Sequence, residues 1–378
     1  MSALFSPLAL RGVTLKNRIA VSPMSQYRAK EGVANDWHMV HLGRFALGGA
    51  GLVFAEATAV EPEGRRTHGD LGLWTDAQGE KLAPIAAFLE AEGAIPGIQL
   101  GHAGRKASER RPWHGETPVD AEDEALRGEA PWASIAPSAL PYADGWPTPA
   151  EMTEADIERV ITAFGASAGR AVAAGFKFIE VYAAHGFLQH QFLSPIANTR
   201  QDTWGGSDEN RRRFAVETAK AIRNAIPDSI PLSFRLSATD WVDGGLEIEH
   251  TIEVARALKA AGVDIIDCST GGIGGRERPR RMELAQGFQV PFAAQVKEAA
   301  DIPTMTVGFL WDAAVCEEVV ASGQADMVAL ARELLADPNW PNRVAADLGA
   351  DENHALWPEE AGWWLMKRER LSKKLGLR

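Results

Sequence analysis

Eight short runs rich in β-branched and other apolar residues recur along the 378-residue chain, separated by longer stretches with helical periodicity. They occupy 18–23, 51–60, 95–102, 176–185, 230–239, 263–269, 302–308 and 325–330. Such alternation is the pattern of parallel β-strands joined by crossover helices. Each run is hydrophobic through its middle, as a strand covered on both faces must be. Eight strands of this kind predict an α/β fold, a (β/α)8 TIM barrel, ahead of an open doubly wound sheet.

The intervening periodicity predicts helices over 37–47, 77–92, 154–174, 208–225, 247–261, 288–300 and 313–322. Thr153, Ser207 and Asp312 precede three of them, where a side-chain oxygen accepts from the free amides of a first turn. Gly93, Gly175, Gly262 and Gly323 stand where four should end. Two stretches fall outside the repeat. Leu8 to Lys16 alternates around Gly12 like a small hairpin, which would plug the N-terminal mouth of a barrel. Segment 105–150, rich in Pro, Trp and acidic residues, follows the third run and belongs to the catalytic face as a loop insertion. No linker divides the chain, so one domain is expected, with a barrel core over about 17–348 and a C-terminal tail over 349–378.

Lys and Arg total 39 and Asp and Glu 51, a formal charge of −12. A surface this acidic repels phosphate backbones and anionic lipid, which excludes nucleic acid and membrane as expected partners and leaves a small molecule. No run approaches the ~20 uninterrupted apolar residues that span a bilayer, and no apolar stretch follows a basic N-terminus, so a cytoplasmic protein is expected. The only cysteines, Cys268 and Cys316, lack the number and spacing of a disulfide scaffold, a zinc site or an iron–sulfur cluster. Two reduced, buried thiols and no metal are expected.

In a TIM barrel the active site forms at the C-terminal ends of the strands. The first run closes on Ser22-Pro23-Met24-Ser25-Gln26-Tyr27, the second on Glu56-Ala57-Thr58, and the third on Gln99-Leu100-Gly101-His102-Ala103-Gly104-Arg105-Lys106. The other five close on Tyr182-Ala183-Ala184-His185-Gly186-Phe187, on Arg235, on Asp267 with Ser269, on Gly308, and on Ala331-Arg332-Glu333. Packing alone does not call for Tyr, His, Gln and two Arg at these mouths, because a buried polar group is costly without a partner. A polar, anionic ligand is expected there. The cluster Gly271-Gly272-Ile273-Gly274-Gly275 has the wrong spacing for a dinucleotide fingerprint and reads as a loop.

Four motifs in this order, Ser22-Pro23-Met24-x-x-Tyr27, Gln99-Leu100-x-His102-Ala103-Gly104-Arg105, Ala183-Ala184-His185-Gly186 and Ala331-Arg332-Glu333-Leu334-Leu335-Ala336-Asp337-Pro338, resemble the Old Yellow Enzyme family, in its xenobiotic-reductase and thermophilic-like branch. The likeness runs from Leu4 to about Pro338. It implies an FMN-dependent ene-reductase with NADPH or NADH as co-substrate, working by a ping-pong route through flavin N5 to an activated alkene such as an enone. It matches Pro23, Met24, Ser25 and Ala57 to flavin contacts and Gln99 to the pyrimidine edge. Arg235 matches the arginine near flavin N1, and Gly308, Ala331 and Arg332 match the phosphate end. Tyr182 and His185 match the pair that binds the substrate's activating oxygen, with Tyr27 and Phe187 beside them.

The sequence departs from that pattern in three places. Ser25 stands where this branch has a cysteine that touches flavin and substrate, so the redox potential is expected to shift. Phe187 stands where many relatives have the tyrosine proposed to protonate the alkene, which leaves the proton to Tyr27, Tyr182 or water. Tyr182-x-x-His185 is similar to the pair of the trimethylamine dehydrogenase branch, in which an aspartate completes a triad. Asp267 as that aspartate gives the alternative reading, oxidation or demethylation of an amine. In the tail, Trp363 and Trp364 match a C-terminal arm that enters a neighbouring subunit's pocket, which implies a homodimer or higher homo-oligomer.

Overall fold

Every residue of the run 52–59 is buried, and the other runs are buried along most of their length, so each finds apolar cover on both faces. In the computed structural model, which describes residues 2–274 and 284–377, these runs contain β1 (Ile19–Val21), β2 (Leu52–Ala59), β3 (Ile95–Gly101), β4 (Phe178–Ala183), β5 (Leu232–Ser237), β6 (Ile265–Ser269), β7 (Thr304–Thr306) and β8 (Met327–Leu330). All neighbouring pairs are parallel. β8 pairs with β1 (Val328↔Ile19) and β1 with β2 (Ala20↔Leu52), which closes the sheet. The open doubly wound sheet is thereby overturned, since it would leave two edge strands whereas each strand here has two neighbours.

Helices α1 (Asp36–Leu47), α2 (Asp76–Ala91), α3 (Glu154–Ala173), α4 (Asp208–Ala225), α5 (Ile248–Ala260), α6 (Val290–Ala300), α7 (Ala313–Ala321) and α8 (Trp340–Asp347) follow the strands in turn, and α9 (Glu359–Lys374) forms the tail. The periodicity does not predict α8 or α9. The predicted caps are made: Thr153 Oγ1 accepts from Asp156 N, Ser207 Oγ from Asn210 N and Asp312 Oδ1 from Ala314 N. All four glycines predicted at helix ends have positive φ. The main core fills the space between the helices and the outer faces of the strands.

Leu8–Leu10 and Val13–Leu15 form the expected antiparallel hairpin. Its turn needs Gly12, because an added Cβ would stand 2.7 Å from Ser229 Cβ. Leu10 and Leu15 pack against Leu52, Phe54, Phe178, Ile265, Met305 and Met327 inside the barrel, near the N-terminal ends of the strands. Burying each of these leucines stabilises by about 1.5–3 kcal/mol. The insertion after β3 lies across the opposite mouth. Arg105 Nη2 donates to Ile273 O beyond β6 at 2.7 Å, and Arg111 Nε donates to Tyr27 O beyond β1 at 3.2 Å.

Leu15→Ala is expected to destabilise the protein by about 2–5 kcal/mol, through lost transfer energy and a cavity under the barrel floor. Urea denaturation followed by tryptophan fluorescence checks this, and a change below about 1 kcal/mol would refute the plug.

Candidate active site

Local structure first fixes the loop that leaves β1. The β2–β3 register slips between Ala55 and Ala57, a bulge that turns Glu56 toward that loop. The Glu56 carboxylate accepts from Gln26 N and faces His38 Nε2 of α1 at 3.2 Å. Tyr27 is held there with φ +56°, a conformation that costs a non-glycine residue energy. Its phenol accepts from Arg66 Nη1 at 3.2 Å, and Arg66 is itself ion-paired with buried Glu109.

The turn leaving β4 is likewise strained and over-determined. His185 has φ +54°. His185 N donates to Ser237 Oγ at 3.0 Å, while Gly186 N donates to His190 Nδ1, whose Nε2 bonds Asp240 at 2.7 Å. The turn brings Tyr182 Oη within 2.9 Å of His185 Nδ1 and His185 Nε2 within 2.7 Å of Ser269 Oγ. Burial, reinforced by Arg235 and then Lys106, holds the imidazole well below its ordinary pKa, so it is neutral.

Its partners admit two tautomers. The other acceptor open to Ser269, Gln289 Oε1, lies at 3.4 Å and already takes Thr270 Oγ1 at 2.7 Å. If Ser269 donates to Nε2, Nδ1 carries the proton and donates to Tyr182; if Ser269 donates to Gln289, the proton sits on Nε2 and Tyr182 donates to Nδ1. In the first arrangement the phenolic proton of Tyr182 points away from His185 and is free for a ligand.

Beneath this pair lies a buried charged cluster. Strand register sets Arg235 opposite both Tyr182 and Asp267. Arg235 Nε donates to Asp267 Oδ2 at 2.6 Å and Nη2 to Ser22 Oγ at 2.7 Å, leaving Nη1 with no partner among the described residues. Glu180 accepts from Gln99 Nε2 at 2.9 Å and from Ser233 Oγ at 3.0 Å. Burial, and then the charge of Asp267, push the Glu180 carboxyl up to about 8, so this acid keeps its proton at neutral pH.

Pro23, Tyr182, His185, Arg235, Gly308, Ala331 and Arg332 line one cavity of about 680 Å³ at the C-terminal mouth. Gln99 is not in that wall but one layer below it, with Ala57 opposite in register. Met24, Ser25 and Tyr27 are half-buried in the loop beyond β1, and Phe187 stacks on Tyr182 with ring centroids 3.9 Å apart. Trp363 and Trp364 stand exposed on α9 and do not line the cavity. Among the described residues no carboxylate pairs with Arg332, whose guanidinium rests over the Phe309 ring at 5.2 Å. In the glycine cluster, Gly275 lies outside the described residues; Gly271 and Gly272 form the loop after β6, packed against Trp241 and His185.

One expectation is corrected. Asp267 does not complete a triad with Tyr182 and His185: Arg235 binds its carboxylate, and the neutral hydroxyl of Ser269 occupies the third place. Sequence reading placed Glu56, Lys106 and Ser269 at strand ends without giving them a role, and missed Glu180. A carboxyl in the middle of the apolar run Phe178-Ile179-Glu180-Val181 was a usable signal, because burial demands partners for it.

The chain matches the profile of the NADH:flavin oxidoreductase / NADH oxidase family over residues 3–351. The chain belongs to this family. It is 42% identical over 364 residues to an NADPH dehydrogenase of Geobacillus thermodenitrificans, covering 96% of this chain and 99% of that one. Among solved structures, morphinone reductase superposes with a TM-score of 0.74 at 26% identity, covering 93% of this chain and 90% of that one. A 2-naphthoyl-CoA reductase superposes with a TM-score of 0.82 at 28% identity, covering 91% of this chain and 52% of that longer one. Members of the family are FMN-dependent oxidoreductases that use NAD(P)H, and the residues here fit that cofactor. A buried guanidinium with a spare N–H faces one end of the cavity, and an arginine with no carboxylate partner among the described residues lines it too.

Ser269→Ala is expected to lower kcat/KM for an enone about tenfold, since Tyr182 then loses the hydrogen-bond order that aims its proton, whereas Ser269→Thr restores it. Steady-state kinetics of both variants check this, and a full-rate alanine variant would sink the tautomer assignment.

Proposed function

We propose that this FMN-dependent oxidoreductase is an ene-reductase that uses NADPH or NADH to reduce an activated alkene such as an enone. Bound FMN supplies hydride transfer at N5. The observation that carries the reading is the Tyr182–His185–Ser269 hydrogen-bond chain at the wall of the cavity, and we take Nδ1 of His185 as the protonated nitrogen, which frees the Tyr182 phenolic proton for a ligand. Tyr182 donates it to the substrate's carbonyl or nitro oxygen and so draws electron density from the β-carbon. His185 orients Tyr182, while Tyr27 and Phe187 confine the alkene. Ser25 stands beside them as a neutral hydroxyl that does not ionise near pH 7.

We assign Pro23, Met24, Ser25, Ala57 and Gln99 to the isoalloxazine, Arg235 to its N1 and C2 oxygen, and Gly308, Ala331 and Arg332 to its phosphate. The spare Nη1 of Arg235 supports its role, because a donor fixed toward developing negative charge contributes about 3–4 kcal/mol in comparable sites. Residues 1–378 form one FMN-binding domain in this reading. NADPH as reductant is supported by the relatives named NADPH dehydrogenase. Pairing of Asp267 with Arg235 removes the particular support for amine oxidation.

We further infer a cytoplasmic homodimer in which α9 carries Trp363 and Trp364 to the partner's cavity. Support comes from the exposure of Trp363, Trp364 and Leu371 along one helix, with Leu375 exposed at its C-cap. No helix of the described residues is long and apolar enough to cross a membrane.

Purified protein is expected to be yellow, to bleach with NADPH under anaerobic conditions, and to regain colour with 2-cyclohexenone. Bleaching by a methylated amine instead would reverse the reading, and a colourless preparation that refuses FMN would end it. Truncation after Trp357 is expected to halve the mass in solution and slow enone turnover. Unchanged mass and kinetics would dismiss the intersubunit arm.

A further inference from the structure

Two carboxyls and one guanidinium are packed together under the cavity, and the flavin assignment uses only the guanidinium. Glu180 on β4, Arg235 on β5 and Asp267 on β6 come from adjacent strands, and both acids are fully buried. Arg235 Nε donates to Asp267 Oδ2 at 2.6 Å. The other oxygen of that carboxylate, Oδ1, is also buried and accepts from no donor among the described residues. Glu180 accepts only from neutral groups, Gln99 Nε2 at 2.9 Å and Ser233 Oγ at 3.0 Å. Its carboxyl stands within hydrogen-bonding reach of Asp267.

Two ionised carboxyls beside one guanidinium would leave an excess negative charge away from water, and like charges this close do not both ionise. One proton placed between the two acids removes the excess charge and gives Asp267 Oδ1 its donor. Glu180 is the acid that holds the proton, because Asp267 already has the guanidinium. The charged groups acting on Glu180 are Asp267 and Arg235. Tyr182, on its own strand, has a phenol that burial keeps neutral.

We propose that Glu180 and Asp267 share one proton beneath Arg235, and that this proton leaves the charge of the guanidinium free for the negative charge that develops in the cavity. The role rests on the assignment of Arg235 to the flavin N1 and C2 oxygen. Glu180 does not line the cavity and acts through Arg235, as a positioning residue. When the proton leaves for solvent, two carboxylates face one cation, and the excess carboxylate opposes further negative charge at the cavity floor. Burial and then the charge of Asp267 place that loss at about pH 8. Linkage requires the converse: negative charge near Arg235 raises the affinity of Glu180 for its proton. Above about pH 8, reduction of the flavin then draws a proton from solvent onto Glu180, beyond the one that arrives at N5.

Wild-type, Glu180→Gln and Asp267→Asn holoenzymes are compared. Glutamine keeps a donor and an acceptor at position 180 and is neutral at every pH, so it separates the proton from packing. In protein carrying 13C at its glutamate carboxyls, the resonance lost in Glu180→Gln is expected to titrate near pH 8 in wild type. In Asp267→Asn it is expected to titrate about one pH unit or more lower, because the repelling charge is gone. Redox titration of the wild-type flavin above about pH 8 is expected to take up as much as about one further proton per two electrons, an increment absent from Glu180→Gln. If Asp267→Asn folds poorly, infrared spectra of the other two proteins serve. A protonated-carboxyl band absent from Glu180→Gln is expected in wild type at about pH 6 and lost by about pH 10. A Glu180 carboxyl already ionised at about pH 6, a titration that Asp267→Asn leaves in place, or a proton increment that persists in Glu180→Gln overturns the proposal. A Glu180 that titrates as expected while the redox titration shows no increment overturns the assignment of Arg235 to the flavin instead.

Discussion

Hydrogen bonding of β8 to β1 and of β1 to β2 closes the sheet, and that closure constrains the rest of the molecule. A closed parallel barrel wrapped by helices buries its strands on both faces, so a polar side chain within them persists only with a partner. Ser22, Gln99, Glu180, Ser233, Arg235 and Asp267 come from five different strands or their ends, and each bonds another of them across the barrel. The arginine keeps its charge because an aspartate lies against it. The neighbouring glutamate, denied a cation of its own, keeps a proton instead. A preorganised positive charge can then face the cavity without paying again for its desolvation when a ligand arrives.

Strain is concentrated on the same rim. Tyr27 and His185 both occupy left-handed backbone conformations, and each is held by buried groups behind it: Glu56 and His38 for the first loop, Ser237, His190 and Asp240 for the second. These supporting groups do not face the cavity, yet they determine where the facing groups stand. The arrangement explains why His102 and Arg105, conspicuous within a recognisable motif, act structurally. His102 Nδ1 accepts from Gly104 N, and Arg105 ties the insertion to the loop after β6.

Much of the fold was legible in the sequence. Strand number follows from eight apolar runs, helix starts from Thr153, Ser207 and Asp312, and the plug from alternation around Gly12. These are local signals, set by neighbours a few residues apart. Helices α8 and α9 escaped because neither presents a long apolar stripe; α9 buries only Gly362. At the site, the strand-end rule located Tyr182, His185, Arg235 and Arg332, since a TIM barrel places such residues at one mouth by topology alone.

Partner choice was not legible, and tertiary structure decided it. Asp267 and Ser269 lie two residues apart on β6, and the sequence reading offered only the aspartate to His185; barrel register gave the aspartate to Arg235 and the serine to the histidine. Lys106 and Phe187 are 81 positions apart, yet the turns leaving β3 and β4 bring the ammonium over the ring. Sequence determines which groups stand at the mouth, because each strand's apolar pattern is complete within itself. Which of them bond, which carry charge and which hold a proton depends on distances of about 3 Å between strands, and those exist only once the barrel is closed.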